Sequence, residues 1–243
     1  MEKEKFFELF RKNLRLNGLE TYDDPRIIDQ FHELTVLMLA KNEVMNITAI
    51  KDVKKIIPLH YMDCIKISKY IQQNAKVLDV GCGGGFPTLP LAIVRPDLTI
   101  TALDSTEKKV KYVQETSDRL DLKVKTIAER AEILAQNENY REKFDVVTSR
   151  AVARLNILNE LCLPFVKTDG KAVIMKGAAG QEELNEAKSG IEKLGGINTK
   201  LINDEIWLDC ENHEKRTIIV IEKKQHTPIQ YPRQFGQIKK KPL

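Results

Sequence analysis

The chain has 243 residues, of which 42% are hydrophobic and 30% charged, as in soluble globular proteins with a full core. No apolar run reaches the length of a membrane span, and the N-terminus mixes acids and bases, unlike a signal peptide. The four cysteines are scattered without a Cys-x-x-Cys pair, which argues against a zinc cluster and for reduced thiols. We therefore expect a cytoplasmic protein with no membrane partner and no metal.

Residues 1–74 are predicted to form a helical cap. Hydrophobic residues recur at helical spacing in three stretches, at 6–14, 27–38 and 56–67. Asp24 followed by Pro25 is typical of a helix start. His60 and Asp63 share one face of the third stretch, where the favoured interpretation is a hydrogen bond on the helix surface.

Residues 75–222 alternate short apolar runs with helical patterns, which is typical of a parallel, doubly wound sheet. The predicted strands are 76–80, 98–104, 123–127, 144–149, 170–175, 197–207 and 215–222. The predicted helices are 88–95, 106–120, 129–137, 153–164 and 180–194. Because only a polar stretch joins the last two strands, they must pair as an antiparallel hairpin. The predicted fold class is α/β, with the seven-stranded, Rossmann-like sheet of class I methyltransferases behind the helical cap.

The stretch KVLDVGCGGGFPTLPL, residues 76–91, joins a strand, a glycine-rich turn and a helix, and such turns bind ligands. It fails the Gly-x-Gly-x-x-Gly dinucleotide fingerprint and lacks the Gly-Lys-Ser/Thr ending of a phosphate loop. Asp79 would repel a pyrophosphate and attract a cation, while Asp104 ends the next strand, where a carboxylate can hold ribose hydroxyls. S-adenosylmethionine fits this pattern because it carries an amine and a sulfonium and no phosphate. A plain tight turn is the alternative.

Residues 223–243 form a basic C-terminal tail. The formal net charge of the chain is +4, yet this tail holds six Lys or Arg and no acid, whereas the remainder holds 33 bases and 35 acids. Three prolines and the lack of an apolar period predict an irregular conformation. The tail is either a nucleic-acid-binding arm or a solvated terminus.

The chain resembles a known family at several motifs. They are LDVGCGGGFPTLPLAI from Leu78, LDSTEKK from Leu103, RAE from Arg130, TSRAVARL from Thr148, ELCLPFVK from Glu160, YPR from Tyr231, NITAI from Asn46, and His60 with Asp63. These motifs span nearly the whole chain and are similar to those of the bacterial small-subunit ribosomal RNA guanine-N7 methyltransferases, also called glucose-inhibited division protein B. Cys82 and Thr88 depart from the pattern, which usually has Ser or Ala at the first position and often Gly at the second.

The resemblance and the strand-end rule together give a cofactor site for S-adenosylmethionine. Asp79 is expected to take the methionine amine directly or through water, and Asp104 to hold the ribose. The backbone of Gly81 and Gly83 is expected to lie against the methionine moiety. The other expected cofactor contacts are Phe86, Ser105, Thr106, Arg150, and Ala131 and Glu132 beside the adenine.

The resemblance implies methyl transfer to N7 of guanine 527 in 16S ribosomal RNA, free or in the small ribosomal subunit, by a monomer. After the fourth strand, Ser149–Ala153 lack the Asp/Asn-Pro-Pro-aromatic motif of exocyclic amine methylation, and Cys162 does not follow a proline as the nucleophile for cytosine C5 typically does. Guanine N7 needs no general base, so Arg150 would act by positioning, and no histidine is expected in the site. The expected RNA contacts are Arg130, Arg154, Lys176, Arg233, Lys239, Lys240 and Lys241.

Two alternatives stay open at this point. One is a methyltransferase for another RNA, a protein or a small molecule, against which the basic tail argues weakly. The other is a noncatalytic RNA-binding module that keeps a vestigial methyltransferase fold. The intact set of Asp79, Gly81 and Asp104 argues against that second alternative.

Overall fold

The fold is built on one seven-stranded sheet, and the computed structural model describes residues 1–243. The strands are β1 (Lys76–Val80), β2 (Thr99–Asp104), β3 (Val124–Ala128), β4 (Phe144–Arg150), β5 (Val166–Lys176), β6 (Gly196–Trp207) and β7 (His213–Lys223). Their order in the sheet is β3-β2-β1-β4-β5-β7-β6, and β7 runs antiparallel to both neighbours whereas the other pairs are parallel. The predicted α/β class, seven strands and terminal hairpin are confirmed.

Helices cover both faces of the sheet. They are α1 (Lys3–Leu16), α2 (Pro25–Asn42), α3 (Val53–Ile56), α4 (Asp63–Lys66), α5 (Thr88–Val94), α6 (Glu107–Arg119), α7 (Ala131–Leu134), α8 (Leu155–Cys162), α9 (Gly180–Lys193) and α10 (Phe235–Lys240). A π-helical segment, Ile57–Met62, joins α3 to α4. The predicted start at Asp24 is confirmed, because its carboxylate accepts a hydrogen bond from the backbone N–H of Arg26.

One predicted helix is much shorter than expected. The pattern predicted a helix over 129–137, but α7 has a single turn of four residues. Past the buried Leu134 and Ala135 the chain offers only polar residues to this face. There the Asn137 side chain accepts a hydrogen bond from the N–H of Asn139, a local turn that competes with helix.

The cap helices share a hydrophobic core with the sheet. Phe10, Phe31 and Tyr61 from the cap belong to the same buried cluster as Val77 and Ile100 of the sheet. A second cluster fills the opposite face under α8, α9 and α10. The cap is therefore a layer of the fold with no core of its own, and the division of the chain at 74/75 and 222/223 stays a prediction. No helix combines the length and apolar character that crossing a membrane requires.

The C-terminal tail packs on the domain, and the prediction of an irregular conformation is wrong only for Lys223, which ends β7, and for residues 235–240, which form α10. Lys223 is fully buried at the end of β7, where it donates to Glu142 and two carbonyl oxygens. Ile238 of α10 is also fully buried. The guanidinium of Arg141 donates to the carbonyl oxygens of Thr227 and Tyr231, both at 2.8 Å. Polar contacts and a few scattered apolar residues hold this segment, so its sequence shows no apolar period.

Arg233 anchors the tail through a buried ion pair. Its Nη2 lies 2.6 Å from the Oε2 of Glu160, whose side chain is fully buried. We expect Arg233→Ala to lower the free energy of unfolding by about 3–5 kcal/mol, because it leaves Glu160 charged and unpaired. Lys240→Ala, on the exposed side of α10, should change it by no more than about 0.5 kcal/mol. Urea unfolding measures both values, and equal small effects would show that the pair does not fasten the tail.

Candidate functional site

A cavity of about 480 Å³ opens at the carboxyl ends of β1, β2 and β4. Ligands of open α/β sheets bind at this edge, where neighbouring strand ends meet. The predicted site residues that line the cavity are Gly81, Gly83, Phe86, Asp104, Ser105, Thr106, Arg130, Ala131, Glu132 and Arg150. Of the predicted cofactor contacts, only Asp79 does not line the cavity.

The glycine-rich turn is fastened to the end of β2. The N–H groups of Gly81 and Cys82 both donate to the carbonyl oxygen of Leu103, at 2.7 and 3.0 Å. One carboxylate oxygen of Asp104 accepts from the N–H of Gly83 at 3.0 Å, and the other accepts from the N–H of Thr106 at 2.8 Å. Each oxygen keeps a further acceptor site for a ligand hydroxyl. Asp104 thus shapes the turn and still faces the cavity.

Asp79 lies beneath the turn with only 1% of its surface exposed. Its carboxylate accepts hydrogen bonds from the hydroxyls of Thr88, at 2.6 Å, and Thr148, at 3.4 Å. Burial raises the pKa of Asp79 to about 6. The structure therefore does not bring Asp79 to the cavity wall, where contact with an amine, directly or through water, was predicted. Thr88, a departure from the family pattern, supplies its shortest hydrogen bond.

Arg150, the last residue of β4, joins the sheet to the cap. Its Nη1 donates to the carbonyl oxygen of Leu59 at 3.2 Å and lies 3.4 Å from a carboxylate oxygen of Asp63. Its Nη2 lies 3.2 Å from Nδ1 of His60. The guanidinium sits over the ring of Phe86, 5.0 Å from its centroid. Leu59 and His60 belong to the π-helical segment, and Asp63 follows it. Short π-helical segments are frequent at functional sites.

His60 lies in the cavity wall, which corrects two predictions. No histidine was expected in the site, and His60 and Asp63 were expected to hydrogen bond to each other, but each instead contacts Arg150. Because a guanidinium can only donate, Nδ1 of His60 must accept, and Nε2–H donates to the Thr48 hydroxyl at 2.8 Å. Burial and the nearby Arg150 lower the pKa of His60 to about 4. The imidazole is therefore neutral, with both nitrogens occupied.

A second cavity, of about 650 Å³, adjoins the first. The two share His60, Arg150, Ala151 and Val152, so this group of side chains forms the wall between them. Ala151 adopts a φ of +57°, which turns the chain sharply after β4, and a Cβ on Gly81 would overlap the Val152 side chain. The carboxyl end of β4 thus lies where the two cavities adjoin.

Some of the predicted RNA-binding cations line the second cavity, one lines the first cavity, and the others lie outside both. Arg154 and Lys176 line the second cavity, but Arg154 pairs with Glu182 and Glu186, and Lys176 pairs with Glu183. Arg130 lines the first cavity, while Arg233 lines neither. The exposed Lys239, Lys240 and Lys241 have no carboxylate partner within 4.0 Å. The structure therefore does not bring these cations together.

Comparison with known proteins identifies the family. Residues 27–204 match the GidB family, described as rRNA small subunit methyltransferase G. A ribosomal RNA small subunit methyltransferase G from Leuconostoc mesenteroides is 41% identical over 221 residues, covering 89% of this chain and 91% of that relative. One from Clostridium perfringens is 40% identical over 242 residues, covering 98% of this chain and 99% of that relative. The chain belongs to this family.

The family assignment confirms the resemblance seen in the motifs and fits the fold. A SAM-dependent O-methyltransferase from Thermotoga maritima has a TM-score of 0.51 at 12% identity, and the match covers 79% of this chain and 73% of that protein's chain. A precorrin-6y C5,15-methyltransferase from Geobacter metallireducens has a TM-score of 0.50 at 14% identity, and the match covers 74% of this chain and 92% of that protein's chain. At such identities the likeness shows the Rossmann-like methyltransferase fold alone. As a member of the GidB family, the chain is a methyltransferase.

Several wall residues of this methyltransferase were missed by sequence reasoning. They are Ile47, Thr48, His60, Lys109, Leu161 and Phe235. All of them except Phe235 belong to motifs that carried the family resemblance, which was the available signal. Phe235 follows the YPR motif and reaches the cavity from the tail, where no strand end marks it.

The buried Asp79 makes a pH-dependent prediction. Its folded pKa of about 6 lies above the ordinary value of 3.8, so its contribution to stability is present below pH 3.8 and lost as the pH rises through 6. The free energy of unfolding of Asp79→Asn minus that of the wild type should increase by about 3 kcal/mol as the pH rises from 4 to about 7.

Urea unfolding at several pH values measures this difference. Asp97→Asn is the control, since Arg95 lowers the pKa of Asp97 to about 2, and its difference from wild type should be constant above about pH 5. A constant difference for Asp79→Asn as well would contradict the raised pKa.

Proposed function

We propose that the protein transfers a methyl group from S-adenosylmethionine to N7 of a guanine in 16S ribosomal RNA, guanine 527 by family resemblance. The observation that carries the proposal is the pair of cavities that adjoin at Arg150 and the turn after β4. Methyl transfer needs a donor and an acceptor side by side, and adjoining cavities lined in part by the same residues support such an arrangement.

The first cavity suits the cofactor. Its volume of about 480 Å³ lies within the usual range for small-molecule sites. Asp104 offers free acceptor sites for ribose hydroxyls, and Gly83 has room for a ligand because its missing Cβ would meet only one backbone oxygen, at 3.9 Å. The ionised Asp79 below the turn favours a cationic ligand without touching it. When bound, S-adenosylmethionine supplies the electrophilic methyl group.

The second cavity suits the acceptor base and its backbone. Arg154, Lys176 and Arg216 line it, and Asp63 lies between Arg150 and Arg216, at 3.4 and 3.3 Å. Positive groups at such a mouth attract phosphates, and the exposed Arg154 can exchange its partners Glu182 and Glu186 for one. Arg130, Lys239, Lys240 and Lys241 remain proposed phosphate contacts. Arg233 is not proposed as a phosphate contact because its guanidinium is paired with the buried Glu160.

The side chains around the shared wall favour N7 over other acceptor atoms. Methylation of an amine or of O6 releases a proton, but both nitrogens of His60 are occupied and the carboxylate of Asp63 is paired with Arg150 and Arg216. Cytosine C5 needs a thiolate, whereas burial raises the pKa of the Cys82 and Cys162 thiols far above the neutral range. Transfer would break the bond between the methyl group and the sulfonium sulfur, which would leave as a neutral thioether, and the N7 lone pair would form the new N–C bond. The base would take the positive charge, and no proton would leave. The chain's work is alignment of the two reactants.

The acceptor atom can be tested by replacing it. An RNA with 7-deazaguanine at the target carries carbon in place of N7. We expect it to bind with the affinity of the unmodified RNA and to accept no methyl group, as measured by mass spectrometry of nuclease digests. The unmodified RNA is the control and should yield 7-methylguanosine. A methylated 7-deaza product, or methyl on another atom of the control, would refute the assignment.

A further inference from the structure

Phe235 lines the first cavity from the C-terminal tail. It is the first residue of α10 and lies more than 100 residues after Glu132, which lines the same cavity. Its ring is partly exposed and packs against the same hydrophobic cluster as Ala131. The tail also crosses just beyond α7, since Gln136 donates to the carbonyl oxygen of Pro232 at 2.9 Å. These contacts place Phe235 at the α7 side of the cavity.

The segment that carries Phe235 is fixed at both ends. The Arg233–Glu160 ion pair precedes it, and Arg233 also donates to the carbonyl oxygen of Lys241 at 3.0 Å. The fully buried Ile238 follows it, one turn along α10. An aromatic ring held in this way and left partly open toward a cavity offers an apolar surface at little entropic cost.

The α7 side of the cavity is where the purine is expected. Asp104 marks the ribose position at the end of β2, and Ala131 and Glu132, which begin α7 after β3, are the expected neighbours of the adenine. Leu161 and Phe235 add apolar surface to this wall. Planar purines pack well on aromatic side chains because every base has a π-face.

We propose that Phe235 packs against the adenine of the cofactor, so that the C-terminal segment 231–240 completes the cofactor site. This inference rests on the proposed use of S-adenosylmethionine. It gives the tail a second role beside phosphate contact: its lysines face solvent while its aromatic ring closes the cavity. Cofactor affinity then depends on a segment that lies outside the seven strands.

Calorimetry of the full-length Phe235→Ala variant tests the proposal, with S-adenosylhomocysteine and adenosine as probes. We expect affinity for both to fall about tenfold, because both contain the adenine that loses its stacking partner. Phe235→Tyr should stay within about threefold of wild type. Gln237→Ala, exposed on the same helix, is the matched control and should bind normally. Wild-type affinity in a folded Phe235→Ala protein overturns the inference.

A second variant covers the case in which Phe235→Ala unfolds. Phe235→Trp in a Trp207→Phe background carries a single indole at the tested position. We expect adenosine to quench its fluorescence and methionine to leave it unchanged, and an absence of quenching at saturating adenosine overturns the inference. A wild-type protein that fails to bind S-adenosylmethionine would instead refute the proposed function.

Discussion

The guanidinium of Arg150 is the contact through which the sheet and the cap become one site. It binds Leu59, His60 and Asp63 of the cap from the end of β4 and lies over Phe86 of the glycine-rich turn. A planar group with five donors can make these contacts together, whereas a lysine could not. The hydrogen bonds continue from His60 to the cap loop that holds Thr48 against the cavity. Arg150 therefore contributes to the lining of both cavities and links the cap to the sheet at the point where they adjoin.

The same contacts determine which chemistry the site supports. Arg150 makes His60 an acceptor at Nδ1, and the bond from Nε2 to Thr48 occupies the other nitrogen. A histidine beside a proposed reacting base would ordinarily suggest general base catalysis. Here the neighbouring charge and the burial keep it neutral and fully engaged. It supports the geometry of the wall, and a reaction that releases no proton suits such a site.

The sequence predicted the sheet well because strand and helix patterns alternate strongly between residues 75 and 222. The strand-end rule then located most of the cavity wall, since each strand end is visible in the pattern. Long-range packing has no such local signal. The burial of Asp79, the approach of Phe235 and the pairing of Arg233 with Glu160 all depend on residues far apart in the chain. The sequence predicted an irregular tail because α10 buries only one of its residues, Ile238, and therefore shows no helical pattern of apolar residues.

The most direct measurement is the pKa of His60 by NMR titration of labelled histidine. The His60→Gln variant assigns its signal among the four histidines. Our account predicts a pKa of about 4 in the wild-type protein. In Arg150→Gln the neighbouring charge is lost while burial remains, so the pKa should rise and stay below the ordinary 6.5. A wild-type His60 that titrates near 6.5, or one unaffected by loss of Arg150, would contradict the account of how the cap and the sheet are joined.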